Sequence, residues 1–340
     1  MGHISKFKVK KRWQFSRLVR IGALAAVVFP VAMRGDAQST SPVFATPHEN
    51  NPGKDLQSAP AARTFTLIGA GDIATCNHLQ SAYATAKLIE RIPGTVFAAG
   101  DLAYERGTAK EFKNCYDPSW GRFKDRTKPA LGNHEYARHS ATGYFEYWGE
   151  QAGPPDQGFY SYDLGSWHIV VLNTNCFEKG VGGCGTDSPQ ESWLKGDLAK
   201  HPDACILAYG HHPLNSSGVK RKHAMHPELR PLWEDLYAAH ADVVLAGHEH
   251  FYERLAPQDP QGNPDPARGI RQIIVGTGGR QHDEIGTPIR NSEVREAGTY
   301  GVLKLTLAPG KYNWEFLPAE GQTFRDSGSG VCHNAPPSAE

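Results

Sequence analysis

FTLIGAGD (65–72), TVFAAGD (95–101), KPALGNHE (128–135), CILAYGHH (205–212) and DVVLAGHEH (242–250) share one construction: a short apolar run, a glycine, then Asp, Asn or His. The apolar runs have the length of strands. A glycine at the end of each permits a sharp turn and close backbone approach. In an open α/β sheet the carboxyl ends of the strands are where ligand sites collect. Five such ends on one side of a sheet system would bring the following side chains together.

Outward from these blocks, further strand-length runs lie at 159–164, 167–172, 271–275 and 300–307, and helix-like patterns at 79–92, 189–200 and 227–240. Ser188, with Glu191 three residues on, marks the start of the second helix. Strands separated by helices predict βαβ units and a sheet covered on both faces. Two consecutive strands meeting at Gly165-Ser166 predict a two-residue hairpin, so the α/β sheet system is mixed.

The chain has 340 residues, 39% apolar and 21% charged, which suits a globular protein and excludes a wholly disordered one. Its 36 basic and 36 acidic residues cancel, which argues against nucleic acid as a partner. The charge is unevenly placed. The first 37 residues hold eight of the basic residues and one acid, followed within that span by a 13-residue apolar run at 21–33. A basic head, a short apolar body and a small-residue exit predict a signal peptide over 1–37, since roughly 20 apolar residues are needed to span a bilayer. Removal would leave 28 basic against 35 acidic residues, a secreted or periplasmic acidic protein with no stable membrane anchor. The Pro-, Ser- and Asn-rich stretch 38–62 reads as a disordered linker, 63–320 as the folded catalytic domain, and 321–340 as a polar C-terminal tail. Six cysteines in an exported chain predict disulfides. Cys176 and Cys184 flank a Gly-rich loop, Cys76 and Cys115 make a second pair, and Cys205 with Cys332 would remain.

The strand-end donors are carboxylate, amide and imidazole groups, which suit Fe, Zn or Mn, while the cysteines lie away from these turns. An Asp shared by two cations would hold a dinuclear pair about 3.5–4 Å apart, fit to bind a phosphate ester and acidify a water.

With these blocks in this order, GDI, GDLAY, GNHE, YGHHP and GHEHFYER, the sequence resembles the calcineurin-like metallophosphoesterases, and within them the purple acid phosphatases. The Asp-x-His opening of the wider superfamily is absent, because Ala74 stands in that place; instead Tyr104 follows Asp101 by three. The resemblance implies a two-sheet mixed β-sandwich flanked by helices, in a short form without an N-terminal β-domain. It implies one metal, Fe, on Asp72, Asp101, Tyr104 and His250, with a tyrosinate that colours the protein. A second metal, Zn, Mn or Fe, would rest on Asp101, Asn133, His211 and His248. His134 would protonate the leaving alkoxide, with Glu135 fixing its orientation. The family's further substrate-side His is replaced by Lys220, so His212, Lys220 and His223 are the candidate substrate contacts, unless 220–223 is simply a solvated loop. The implied activity is hydrolysis of phosphate monoesters by a metal-bound hydroxide. A phosphodiesterase or nucleotide pyrophosphatase on the same centre is the alternative, and a non-catalytic binding protein the remote one.

Overall fold

The computed structural model describes residues 63–137, 140–178, 180–219 and 225–334. The expected leader 1–37 and linker 38–62 lie outside these residues, as do Lys220 and His223. In chain order the strands are β1 (Phe65–Ala70), β2 (Ala74–Thr75), β3 (Thr95–Ala99), β4 (Ala103–Tyr104), β5 (Thr127–Ala130), β6 (Tyr160–Leu164), β7 (Trp167–Val171), β8 (Cys205–Tyr209), β9 (Val243–Ala246), β10 (Tyr252–Leu255), β11 (Arg271–Val275), β12 (Ser292–Glu296), β13 (Gly301–Ala308), β14 (Lys311–Pro318) and β15 (Ser327–Val331). Among the described residues they form two large sheets, ordered β15-β14-β13-β1-β3-β5 and β12-β10-β11-β9-β8-β7-β6, with β2 paired to β4 separately. Both sheets are mixed: β1, β3 and β5 run parallel, as do β7, β8, β9 and β11, and antiparallel strands complete the edges.

The central strands are apolar on both faces because each face meets a different core. In β7, β8 and β9 the residues Ile169, Leu207 and Leu245 point between the sheets, towards Leu67, Phe97 and Leu303. Their neighbours Val170, Ile206 and Val244 point outward and are covered by Leu194, Leu198, Leu232 and Trp233. Those covering residues belong to helices Pro189–Leu198 and Arg230–Ala238, which pack on each other. Alternation with period two divides one strand between two cores, which is why these strands read as continuous apolar runs. Helix Gln80–Glu90 covers the first sheet through Ala82, Ala86 and Ile89. Ser188 caps helix Pro189–Leu198 by accepting from the Glu191 N–H, with proline in its first turn. No helix among the described residues is long and apolar enough to cross a membrane.

At one end the two sheets converge, and Gly71 N–H at the end of β1 donates to the Val275 carbonyl of β11 at 3.0 Å. The five strand ends that carry the Gly-Asp, Gly-Asn and Gly-His turns lie here.

Several elements differ from the sequence reading. Strands β10, β12, β14 and β15 and helix Thr142–Trp148 have no counterpart in it. The helical pattern at 227–240 divides into a 3₁₀ turn, Pro227–Leu229, and a helix beginning at Arg230, with Pro231 in its first turn. The polar segment from 321 contains β15, an edge strand of Ser and Gly with no apolar side chain before Val331. Its glycines are filled from the neighbouring strand. A Cβ on Gly328 would lie 2.2 Å from the Trp314 ring, and one on Gly330 2.4 Å from Tyr312. Aromatic side chains of β14 thus cover the bare backbone of β15. Asp326, just before it, accepts from Tyr252, Arg254 and Trp314.

Disulfides join Cys76 to Cys115, Cys176 to Cys184 and Cys205 to Cys332. The last ties β8 of one sheet to the residue that follows β15 of the other, closing a span of 127 residues. Loop entropy for such a span is on the order of 4–5 kcal/mol. The double variant Cys205→Ser/Cys332→Ser should lose stability of that order in urea unfolding; an unchanged midpoint would show that the staple adds nothing to the packing of β15.

Candidate metal centre

Three residues at the strand ends adopt left-handed backbone conformations: Asp72 (φ 60°), Asp101 (φ 52°) and His248 (φ 70°). Each follows a glycine, Gly71, Gly100 or Gly247. Such conformations cost about 1–3 kcal/mol apiece for residues with a Cβ and cluster at functional sites. The turns are also tightly nested. A Cβ on Gly132 would sit 2.1 Å from Asp101 Oδ1, and one on Gly247 would sit 2.6 Å from Asp72 Oδ2. Glycine at these two positions is a space requirement.

The turns assemble two adjoining groups. In the first, the Tyr104 hydroxyl donates to Asp72 Oδ1 at 2.8 Å, and His250 Nε2 lies 3.4 Å from the same oxygen and 3.3 Å from the Tyr104 oxygen. In the second, Asn133 Oδ1 lies 3.1 Å from His211 Nε2 and 3.0 Å from His248 Nδ1, and those two nitrogens are 3.3 Å apart. Asp101 joins the groups: its Oδ2 is 3.3 Å from His211 Nε2, and it stands beside Asp72 and Tyr104.

The donor set fits cations. His211 Nδ1–H donates to the Ala99 carbonyl at 2.9 Å, so in the neutral ring Nε2 carries a lone pair. That lone pair faces Asn133 Oδ1 and Asp101 Oδ2, both acceptors, an arrangement satisfied only by a proton or a metal ion. In the bare protein the proton fills it. Burial, which would lower the His211 pKa, is outweighed by Asp101, and the ring rises to about 9. Burial would likewise raise Asp101, but His211 and His134 hold it well below the usual carboxylate range. Burial and His211 hold His248 well below its ordinary value, which favours the neutral ring. Burial and the Asp101 and Asp72 carboxylates push the Tyr104 phenol well up, a preference that a multivalent cation would invert.

Further contacts fix the rings and backbone of these groups. His250 Nδ1–H donates to the Gln281 carbonyl at 2.9 Å and lies 3.2 Å from the Asp283 carboxylate. The His248 N–H donates to Asp72 Oδ2 at 2.8 Å, and the His134 N–H to Asp101 Oδ1 at 2.9 Å. Thr174 Oγ1 accepts from the N–H groups of His211 and His212, at 3.2 and 2.9 Å.

His134 stands at the cavity wall with its ring 4.5 Å from that of Tyr104. Its Nδ1–H donates to the Glu105 carbonyl at 2.7 Å, which leaves Nε2 on the other side, 3.8 Å from Asp101 Oδ2. The expectation that Glu135 orients this ring needs correction. The short helix Asn133–Tyr136 turns Glu135 inward, where it is buried and its carboxylate accepts four backbone N–H bonds, from Asp101, Leu102, Ala103 and Gly132. Glu135 clamps the Asp101 turn to the Gly132 turn, and the Glu105 carbonyl orients His134. Burial and Asp101 push the Glu135 carboxyl up to about 8, against the N–H donors that favour its anion.

The His212 ring is tilted against its neighbours, its centre 4.5 Å from that of His248 and 4.4 Å from that of His226, beside the second group. Of the other candidate substrate contacts, Lys220 and His223 lie outside the described residues. Arg280, whose guanidinium sits 4.5 Å from the centre of the Tyr104 ring, and the supporting Thr174 and Asp283 have no strand-end signature, and the sequence reading missed them. The groups open into a cavity of about 540 Å³ lined by Asp101, Asn133, His134, His248, His250 and Arg280, among others.

A model of the calcineurin-like phosphoesterase family matches residues 65–252. Purple acid phosphatase 15 of Arabidopsis thaliana is 26% identical over 250 residues, covering 62% of this chain and 45% of that protein. The Fe(3+)-Zn(2+) purple acid phosphatase 12 of the same plant is 30% identical over 216 residues, covering 56% and 43%. Among solved structures, a purple acid phosphatase from yellow lupin (Lupinus luteus) seeds superposes with a TM-score of 0.59 at 18% identity, covering 82% of this chain and 57% of that one, a likeness of fold. The chain spans about half the length of the curated relatives it matches.

Glu135→Gln tests the clamp. An amide must turn its NH₂ towards backbone donors, leaving buried N–H groups unpaired at a cost of about 1–3 kcal/mol. The variant should unfold at lower urea with an unchanged slope; stability equal to the wild type would show that the four bonds are dispensable.

Proposed function

The chain belongs to the calcineurin-like phosphoesterase family, and on that footing we propose that it is an exported phosphatase that hydrolyses phosphate monoesters through a dinuclear metal centre. One observation carries the reading: His211 Nε2 lies 3.1 Å from Asn133 Oδ1 and 3.3 Å from Asp101 Oδ2, where the two donor groups meet. In this reading Asp72, Asp101, Tyr104 and His250 hold one ion, Fe, and Asp101, Asn133, His211 and His248 hold the other, Zn, Mn or Fe. Bound there, the ions supply Lewis acidity to the phosphoryl oxygens and acidify a water.

The protein's own groups do the rest. The Glu105 carbonyl pins the proton of His134 Nδ1, so Nε2 is the atom that carries the mobile proton to the leaving alkoxide. Asp101 Oδ1 holds the His134 backbone, which fixes the ring relative to the ligands. His212 borders the second group and, with Lys220 and His223, forms the substrate side of this reading. Export is supported by the three disulfides together with the basic, then apolar, N-terminal sequence.

A panel of mono- and diesters, run with metal content measured alongside, tests the function. Monoesters should be turned over, two metal ions should be found per chain, and a chelator should abolish turnover; preferential cleavage of diesters, or protein that binds no transition metal, would overturn it. His134→Ala should slow esters with poor leaving groups about 10²–10⁴-fold and activated esters much less. Equal losses on both would remove His134 as the proton donor.

A further inference from the structure

Arg280 follows the Gly-rich turn after β11 and reaches back over the first donor group. Its backbone N–H donates to the Asp72 carbonyl at 2.9 Å, which anchors it at the strand end. Its guanidinium lies 4.5 Å from the centre of the Tyr104 ring. The fork grips the Glu105 carboxylate through both terminal nitrogens, one at 3.1 Å, and a third contact reaches Thr75 Oγ1 at 3.2 Å. Glu105 itself is held, since its backbone N–H donates to Glu111 Oε1 at 2.7 Å. The Tyr104 ring is flanked by the Arg280 cation and by the His134 imidazole, whose centre is 4.5 Å from its own, with the His250 ring edge-on at 6.1 Å. The same residue, Glu105, fixes both: its carboxylate holds Arg280 and its carbonyl holds His134.

A cation over an aromatic face lowers the energy of the ring's π electrons. A phenolate whose π electrons are stabilised gives them up less readily to a metal ion bound at its oxygen. The guanidinium lies over the ring, 4.5 Å from its centre, so its field acts directly on the donor electrons. The Glu105 carboxylate offsets part of that field.

We propose that Arg280 is a positioning residue that acts through Tyr104: its guanidinium weakens the tyrosinate as an electron donor to the metal of the first site, and Glu105 sets how much of that charge the ring feels. This rests on the reading of Tyr104 as an iron ligand. The effect is exerted on the Tyr104 ring, so its measurable consequence is spectroscopic. The energy of the tyrosinate-to-iron transition rises with the positive charge over the ring.

The test uses the full chain loaded with iron, and compares the visible absorption maximum of the wild type with those of Arg280→Met, Arg280→Lys, Glu105→Gln and Tyr104→Phe at matched iron content. Arg280→Met removes the charge and should move the band to longer wavelength. Glu105→Gln keeps an acceptor oxygen for the fork but removes the offsetting charge, and should move the band to shorter wavelength. Arg280→Lys keeps the charge without the fork and should fall between wild type and Arg280→Met, so the order can be read even if the larger truncation does not fold. Any other order, or bands that coincide in coloured proteins, overturns the proposal while leaving Tyr104 as a ligand. A wild type as colourless as Tyr104→Phe would remove Tyr104 from the iron and overturn the proposal with it.

Discussion

Two carboxylates, Asp72 and Asp101, are sealed beneath the converging strand ends with almost no solvent contact, and the surrounding groups are arranged to compensate them. An isolated buried carboxylate is far more expensive than a few hydrogen bonds can offset. The protein aims backbone N–H groups at both, His248 at Asp72 and His134 at Asp101. It adds the Tyr104 hydroxyl and the rings of His211 and His250. In the bare protein a proton on His211 Nε2 completes the compensation, and a bound cation would take the place of that proton. Glu135 answers the opposite problem at the same place: the Asp101 and Gly132 turns bury backbone donors that no strand can pair, and one carboxylate takes four of them.

Much of this was legible in the chain because the chemistry is written at strand ends. Gly followed by Asp, Asn or His after an apolar run announces a turn with a polar tip, and all five such blocks meet at one end of the sheets. The glycines before Asp72, Asp101 and His248 are needed because a Cβ there would collide with a neighbouring turn, 2.7 Å from the Ala99 carbonyl at Gly71 and 2.6 Å from His211 at Gly100. Roles inside a block were less legible. His134 and Glu135 are neighbours in sequence, yet one helical step sends the first to the cavity wall and the second into the interior, where it clamps backbone. Residue type alone does not separate a clamping carboxylate from an orienting one. Arg280 was invisible for another reason, since its partner Glu105 is 175 positions away.

The missed strands follow a common logic. In β14 the sequence Lys-Tyr-Asn-Trp-Glu-Phe alternates as a half-buried strand should, but β15 beside it offers only Ser and Gly, and its packing surface is supplied by Tyr312 and Trp314. A strand whose apolar face belongs to its neighbour has no hydrophobic pattern of its own. Strand β10 is obscured by charge: Glu253 is buried against Ser217 and Ser292, and Arg254 is paired with Asp326 and Glu293.

The pairing of the first strand has a consequence for the order in which the molecule can be made. Strand β1 lies between β3, soon after it in the chain, and β13, where Phe65 is opposite Leu307. A ribosome must therefore deliver nearly the whole domain before the sheet around Asp72 can be completed. Pairings so distant in sequence make for slow, late folding. Until then the Gly-Asp turn of β1 hangs on a half-built edge, so the donor groups form among the last features of the nascent protein.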